Sequence, residues 1–88
     1  MKPAEIKKLR AMAHNLNPVV MIGQLGLTDA VLAEIDHALN AHELIKVKIR
    51  AEKEERLHIS QQICQASGAE LIQNIGQIAV IYRKNTDK

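Results

Sequence analysis

The sequence has almost no aromatic residues, since Tyr82 is the one Phe, Tyr or Trp side chain among 88 residues. The core must therefore be aliphatic, built from Ile, Leu, Val, Met and Ala, and a partner that binds by stacking on rings finds a single ring. Long hydrophobic runs are also missing. No stretch approaches the roughly 18 consecutive apolar residues that a membrane-spanning helix requires, which excludes that class of protein.

Cysteine is nearly absent too, because Cys64 is the only one. It cannot form an internal disulfide, and it lies in a segment with helical apolar spacing, so we expect it to pack against the core. The apolar residues of the N-terminal "MKPAEIKKLRAMAHNL" are interrupted by charged ones, which is unlike a secretory signal peptide. We therefore expect a cytoplasmic protein.

The chain shows no catalytic or metal-binding constellation. His37 and His42 are five residues apart, roughly 140° around a helix, so they do not share a face as a pair of metal ligands would. His58 and Cys64 are separated by about 240° on the same reasoning and cannot form a local base–nucleophile pair. We therefore predict that the protein is not an enzyme, has no cofactor and takes no small-molecule substrate.

Composition predicts one small globular domain covering residues 1–88. The sequence is 47% hydrophobic and 25% charged, which is too apolar for a disordered chain and too charged for a membrane span. A chain of this length has room for a single hydrophobic core.

Apolar spacing predicts a helix followed by a strand at the start of the chain. Pro3 suits a first helical turn, and Asn15, Asn17 and Pro18 are expected to end the helix. Its predicted inward residues recur at helical spacing: Ile6, Leu9, Ala13 and Leu16. The apolar "VVMI", residues 19–22, predicts a short strand.

A second helix and the clearest strand of the chain follow. Thr28 is placed to cap the helix, and Asp29 complements the helix dipole. The apolar stripe of this helix consists of Val31, Leu32, Ile35 and Leu39. In "LIKVKIR", residues 44–50, the apolar Ile45, Val47 and Ile49 alternate strictly with the basic Lys46, Lys48 and Arg50, which is typical of a half-buried strand.

The remaining segments predict a third helix and a hairpin. The helix extends from about Lys53 to Ser67, with Gly68 as its C-terminal stop. Its expected inward residues are Leu57, Ile59, Ile63, Cys64 and Ala66. "ELIQNI" and "QIAVIY" flank Gly76 as two strands. The order helix-strand-helix-strand-helix-strand-strand predicts an α/β fold with a four-stranded mixed sheet, and the first helix is free to cover its second face.

Charges are distributed unevenly although the net charge is only +2. Residues 2–14 carry four cations against Glu5, residues 46–50 carry three cations and no acid, and residues 83–88 carry three cations against Asp87. Residues 29–43 carry four acids and no Lys or Arg. We therefore expect a basic side that suits a polyanion and an acidic side that does not, although a basic strand alone is often just a solvated face.

The bend "GQLG", residues 23–26, stands between the first strand and the second helix. It lacks the Lys-Ser/Thr ending of a P-loop and the third glycine of a dinucleotide-binding fingerprint. Two interpretations remain open. The bend is a simple turn with glycines chosen for positive φ, or it clamps a phosphate at a helix N-terminus in the manner of the KH class of RNA-binding domains.

Three separated segments, "PVVMIGQLGLTDAVLAEIDHAL", "HELIKVKI" and "QNIGQIAVIYR", resemble the CRM domain, named for chloroplast RNA splicing and ribosome maturation, in its single-domain bacterial YhbY type. The resemblance extends from about Glu5 to Lys84. It implies a fold similar to the C-terminal domain of a bacterial translation initiation factor. It also implies an RNA-binding module whose bacterial members are associated with precursors of the large ribosomal subunit.

The resemblance makes Gly23, Gln24, Leu25 and Gly26 the expected RNA-contacting loop. Relatives often carry polar or basic residues in this loop and a lysine at the position of Gln77, so more of the charge must come from elsewhere. The further predicted RNA-binding residues are Thr28, Lys7, Lys8, Arg10, Lys46, Lys48, Arg50 and Arg83. We expect a ribosome assembly factor on pre-50S particles that binds large-subunit RNA. The alternative is a protein-interaction domain acting through its acidic helices.

Overall fold

The sheet and its three helices follow the predicted order in the computed structural model, which describes residues 1–85. Asp87 and Lys88, part of the predicted C-terminal charge cluster, lie outside the described residues. The elements are α1 (Pro3–Ala13), β1 (Pro18–Ile22), α2 (Asp29–His42), β2 (Leu44–Ile49), α3 (Lys53–Ser67), β3 (Glu70–Ile75) and β4 (Ile78–Tyr82). The predicted α/β class and the four-stranded mixed sheet are confirmed.

The strands are arranged in the order β1-β2-β4-β3. β1 pairs with β2 in parallel, and β4 pairs antiparallel with both β2 and β3. The parallel pair brings the C-terminal ends of β1 and β2 to the same edge of the sheet. Because β3 and β4 form a hairpin around Gly76, their turn lies at that edge as well.

One face of the sheet packs against α2 and α3 and forms the main core. Strict alternation in β2 places Ile45, Val47 and Ile49 on this face, where each is at most 1% exposed. They pack with buried residues of the two helices and the other strands, namely Val20, Ile22, Ile35, Leu39, Ile59, Ile63, Ala69, Ala79 and Ile81.

The opposite face is covered by α1, which confirms the role expected for this helix. Its buried cluster consists of Ala13, Leu44, Ile72 and Val80, with Ile6, Leu9, Ile78 and Tyr82 packed around it. The helix contacts β2 and β3 but leaves β1 uncovered, so that Val19 and Met21 are 51% and 54% exposed. The domain is therefore built of three layers, with α1 alone on one side of the sheet.

Two helix ends are fixed as the sequence indicates. Thr28 caps α2, because its Oγ1 accepts a hydrogen bond of 3.2 Å from the backbone N–H of Val31. Gly68 ends α3 in the left-handed region, with φ of +74° and its N–H donating to the carbonyl oxygen of Cys64.

Three predicted inward positions are wrong. Leu16 lies beyond the end of α1 and is 38% exposed. Leu57 and Ala66 face solvent because the inward stripe of α3 runs through Ile59, Ser60 and Ile63 instead. A serine fits this apolar stripe because its hydroxyl donates to the carbonyl oxygen of Leu57, 2.8 Å away, so the buried hydroxyl is hydrogen-bonded within its own helix.

The predicted continuation of β2 through Arg50 is also corrected, because the strand ends at Ile49 and Arg50 is exposed. Its backbone N–H nevertheless donates to the carbonyl oxygen of Ile22, 3.0 Å away. The side chain thus belongs to the edge of the sheet rather than to its face.

Arg83 joins the end of β4 to α2 and α3. Its guanidinium donates to Asp36 Oδ1 at 2.7 Å, to the Asp36 carbonyl oxygen at 3.2 Å and to Asn40 Oδ1 at 2.8 Å. A further bond of 2.8 Å reaches the carbonyl oxygen of Ser67 at the end of α3. This side chain is only 20% exposed, and its four bonds hold both helices against the sheet.

We predict that Arg83→Gln lowers the free energy of unfolding by about 1–2 kcal/mol, because the charge-assisted bonds are lost, including the one to the Ser67 carbonyl at the end of α3. Urea denaturation followed by circular dichroism measures the change. The control is Lys84→Gln, which alters the exposed neighbouring cation and should leave the midpoint unchanged. Equal midpoints for Arg83→Gln and the parent would contradict the bracing role.

Candidate functional site

Three segments meet at the edge of the sheet where β1 and β2 end, which we call the loop end. The bend of residues 23–26 leaves β1 there, and Arg50 is bonded to the last carbonyl of that strand. The turn at Gly76 and Gln77 adjoins them, because the backbone N–H of Ile49 donates to the carbonyl oxygen of Gln77 at 2.7 Å. Backbone pairing alone therefore brings a basic residue beside the glycine bend.

The two glycines of the bend have different structural roles. Gly26 has φ of +70°, a conformation that favours glycine, and its N–H donates to the Gly23 carbonyl oxygen at 3.0 Å. Gly23 is not among the positive-φ residues, and a Cβ atom built on it would meet no heavy atom within 4 Å. The fold needs glycine at position 26 but not at position 23.

The middle of the bend is open to solvent. Gln24 is exposed, and Leu25 is 91% exposed, the highest value among the exposed large hydrophobic residues of the described chain. The bend leads directly into α2, whose first N–H groups have no acceptor within the helix. These N–H groups and the helix dipole favour an anion at this position. The oxygen of Thr28 already accepts from the Val31 N–H as the helix cap.

Lys46 and Lys48 lie on the face of the sheet that α1 partly covers. Cross-strand pairing puts Lys48 between Met21 and Ile78, and Lys46 opposite Val80. Both lysines are half-buried, and their Cα atoms are about 7 Å apart along the strand. Among residues 1–85, neither these lysines nor Arg50 has a carboxylate within 4 Å, since the ion pair in that range is Arg83–Asp36. Their charges are available to an external anion.

The predicted basic residues of α1 lie on the same side of the sheet as Lys46 and Lys48, but farther from the loop end. Arg10 lies over the sheet, where its Nε donates to the Ile72 carbonyl oxygen at 3.2 Å. Lys7 is exposed on α1. Lys8 lines a shallow groove with Glu43 and Tyr82, at the opposite end of the sheet. The α1 cations are thus on the same side of the sheet as Lys46 but are not part of the loop end.

Arg83, another predicted RNA-binding residue, lies on the other side of the sheet, in the layer formed by α2 and α3. Its guanidinium is hydrogen-bonded to both helices. The sheet separates this layer from Lys46 and Lys48. Of the four acids of residues 29–43, Glu34 and Asp36 lie on α2 behind the sheet, whereas Asp29 begins α2 at the loop end and Glu43 lines the groove of Lys8.

Cys64 is half-buried, and burial, together with the charge of Glu70, raises the pKa of its thiol. A thiol that keeps its proton is a poor nucleophile. Within residues 1–85, no three His, Cys, Asp or Glu side chains are grouped as metal ligands would be. The helices of that same range include none long and apolar enough to span a membrane.

Two exposed aliphatic residues that are not among the predicted site residues lie in the same row as Lys48. Met21 pairs with Lys48, and Ile75 pairs with Ile78, which places all four side chains in one row across the sheet. Met21 and Ile75 are 54% and 56% exposed. The signal was present in "VVMI", which supplies no polar residue for an uncovered strand face.

Comparison with known proteins identifies the family. The family model for the CRS1 / YhbY (CRM) domain matches residues 1–83. The chain belongs to this family. It is 50% identical over 80 residues to a Haemophilus influenzae protein named "RNA-binding protein", covering 90% of this chain and 81% of that one. It is 45% identical over 80 residues to a Pseudomonas aeruginosa protein named "Probable RNA-binding protein", covering 90% and 77% respectively.

A solved structure has the same fold. The solution structure of a Staphylococcus aureus protein, described as a candidate RNA-binding protein, superposes with a TM-score of 0.86 at 31% sequence identity. The match covers 98% of this CRM-domain chain and 91% of the other. The predicted family and fold are therefore confirmed.

Proposed function

We propose that this CRM-domain protein, taken as one domain of residues 1–88, binds the sugar–phosphate backbone of RNA at its loop end. In this proposal the backbone N–H groups of residues 23–26 and the N-terminus of α2 hold one phosphate. Arg50, Lys48 and Lys46 hold the phosphates that follow. The α1 cations Lys7, Lys8 and Arg10 add attraction at longer range, and Thr28 keeps the helix end in place.

The observation that carries the proposal is Gly23. Its conformation and its surroundings within the protein leave room for a Cβ atom, so glycine there leaves open space next to Arg50. That space allows the backbone of a bound partner to approach the bend closely. The names of the relatives point to RNA as that partner, as do the loop-end cations, which have no carboxylate within 4 Å in the described part of the chain.

We further propose that the target is large-subunit ribosomal RNA in pre-50S particles, where the protein acts in assembly. The resemblance to the bacterial YhbY type supports this choice. A domain of this size makes few phosphate contacts and so binds RNA weakly and with little sequence preference. A folded precursor RNA supplies the missing selectivity through its shape.

Binding to a short single-stranded RNA should weaken with salt. With about five phosphates contacted and roughly 0.7 counterions released per contact, affinity should fall on the order of 100-fold between 50 and 200 mM salt. Fluorescence anisotropy at several salt concentrations measures the slope. A flat response would exclude the electrostatic mechanism.

Gly23→Asp should abolish RNA binding without unfolding the protein, because the site tolerates a side chain but the carboxylate repels a phosphate. Gln65→Asp introduces the same charge change at an exposed position of α3 and should bind as the parent does. Gly26→Asp is the less useful variant, since positive φ costs it about 1–2 kcal/mol of stability. Parent-like affinity of folded Gly23→Asp would mean that the bend is only a turn.

The triple variant Lys46→Glu, Lys48→Glu, Arg50→Glu should leave pre-50S particles while remaining folded, because three phosphate contacts become repulsive. Sucrose-gradient fractions probed for the protein measure this, with the parent expected on 50S precursors more than on mature 70S ribosomes. Two single variants control for the effect of one charge reversal: Lys48→Glu changes the proposed site, and Lys84→Glu makes the same change outside it. A parent found only in the free pool, or a triple variant still on the precursor, would refute the assembly proposal.

A further inference from the structure

The part of the sheet that α1 leaves open is unusual in composition. We call it the open sheet face: Met21, Lys46, Lys48, Ile75 and Ile78. A sheet face in contact with water normally carries polar residues. Here Met21 and Ile75 are each more than half exposed, and the other members are half-buried.

The register gives this face a regular layout. Met21, Lys48, Ile78 and Ile75 form one row across all four strands, about 14 Å long at three strand spacings. Lys46 projects from the next row on the same side. The row is the last one before the loop end, because β1 ends at Ile22 and β2 at Ile49. One cation therefore stands among three apolar side chains in the row beside the glycine bend.

We infer that the open sheet face contacts the unstacked bases of single-stranded RNA, whose backbone the loop end and the two lysines hold. This inference rests on the proposed function and extends it to the class of RNA. Charge complementarity favours a polyanion as the occupant, since Lys46 and Lys48 have no carboxylate within 4 Å among residues 1–85. Continuity favours the same strand, since the row adjoins the bend.

Aliphatic side chains contact the flat face of a base without reading its edge, so all four bases fit equally well. Tyr82, the single ring, pairs with Leu44 and Glu70 at the opposite end of the sheet and is not part of this face. The contacts are thus selective for bases that are unpaired and accessible, not for a sequence. Duplex RNA, whose bases are stacked inside the helix, can use only the lysines and the loop end.

The test compares a single-stranded RNA with an abasic strand of the same length, which has the backbone but no bases. The parent should bind the intact strand about fivefold or more tightly than the abasic strand, because the abasic strand offers no base surface for Met21 and Ile75 to cover. Met21→Gln and Ile75→Gln should each reduce this ratio, and the double variant should bring it near one. The slope of log affinity against log salt should stay the same, because neither residue contacts a phosphate.

Leu57→Gln is the matched control, since Leu57 is 47% exposed but belongs to α3 on the other side of the sheet. It should retain the ratio of the parent. Both tested positions are exposed, and thermal melting verifies that the variants fold. Lys48→Gln gives the complementary result: a lower salt slope with both strands, and a retained preference for bases.

The outcomes separate the two proposals. Equal binding of intact and abasic strands by the parent, with a normal salt slope, would overturn the base contact and leave backbone binding intact. Absence of salt-dependent binding to either strand would overturn the proposed function itself. If Met21→Gln and Ile75→Gln bind RNA as the parent does but no longer remain on precursor particles, the open sheet face is a protein-docking surface and the inference is wrong.

Discussion

The parallel pairing of β1 with β2 is the constraint on which the rest of the structure depends. It aligns Ile22 with Ile49 and lets the N–H of Arg50 donate to the Ile22 carbonyl oxygen. A parallel connection requires a crossover, and α2 supplies it, so that the helix must begin at the edge where β1 ends. The bend, the start of α2 and a cation are therefore adjacent without any side chain having to join them. An antiparallel pair would have put Arg50 at the other edge.

The sheet also acts as a divider of charge. Alternation in β2 places Ile45, Val47 and Ile49 on the face that α2 and α3 bury. Lys46 and Lys48 therefore lie on the opposite face. Glu34 and Asp36 of α2 then lie behind the sheet from the lysines, while Asp29 begins the helix at the loop end. Arg83 is held by that acidic helix. Under the proposed function, this separation lets a protein with a net charge of only +2 offer RNA a basic face, which would favour one orientation of binding.

Much of the fold could be predicted because local patterns decided it. Strict alternation of apolar and basic residues predicted β2. The capping residue Thr28 and the apolar stripe that follows it predicted α2, and Gly68 predicted the end of α3. The errors came from packing between distant segments. No local pattern indicates that Ser60 rather than Leu57 faces the core, since the hydroxyl is satisfied only within its own helix turn. Nor does sequence reveal that α1 lies over β2 and β3 and leaves Met21 uncovered. For the candidate site, the sequence predicted the bend and its neighbouring cations. Only the structure shows that Arg50 is adjacent to the bend and that the space around Gly23 is empty.

The central claim is that RNA binds at the loop end and on the α1 side of the sheet. The most direct measurement is an NMR titration of the isotopically labelled protein with a short single-stranded RNA at low salt, recording backbone amide shifts. The account predicts that shifts concentrate at residues 23–26, at Lys46, Lys48 and Arg50, and at the first turn of α2. The outward faces of α3 and of the C-terminal half of α2 should be unaffected. Shifts concentrated on those acidic helices, with the bend unchanged, would contradict the account.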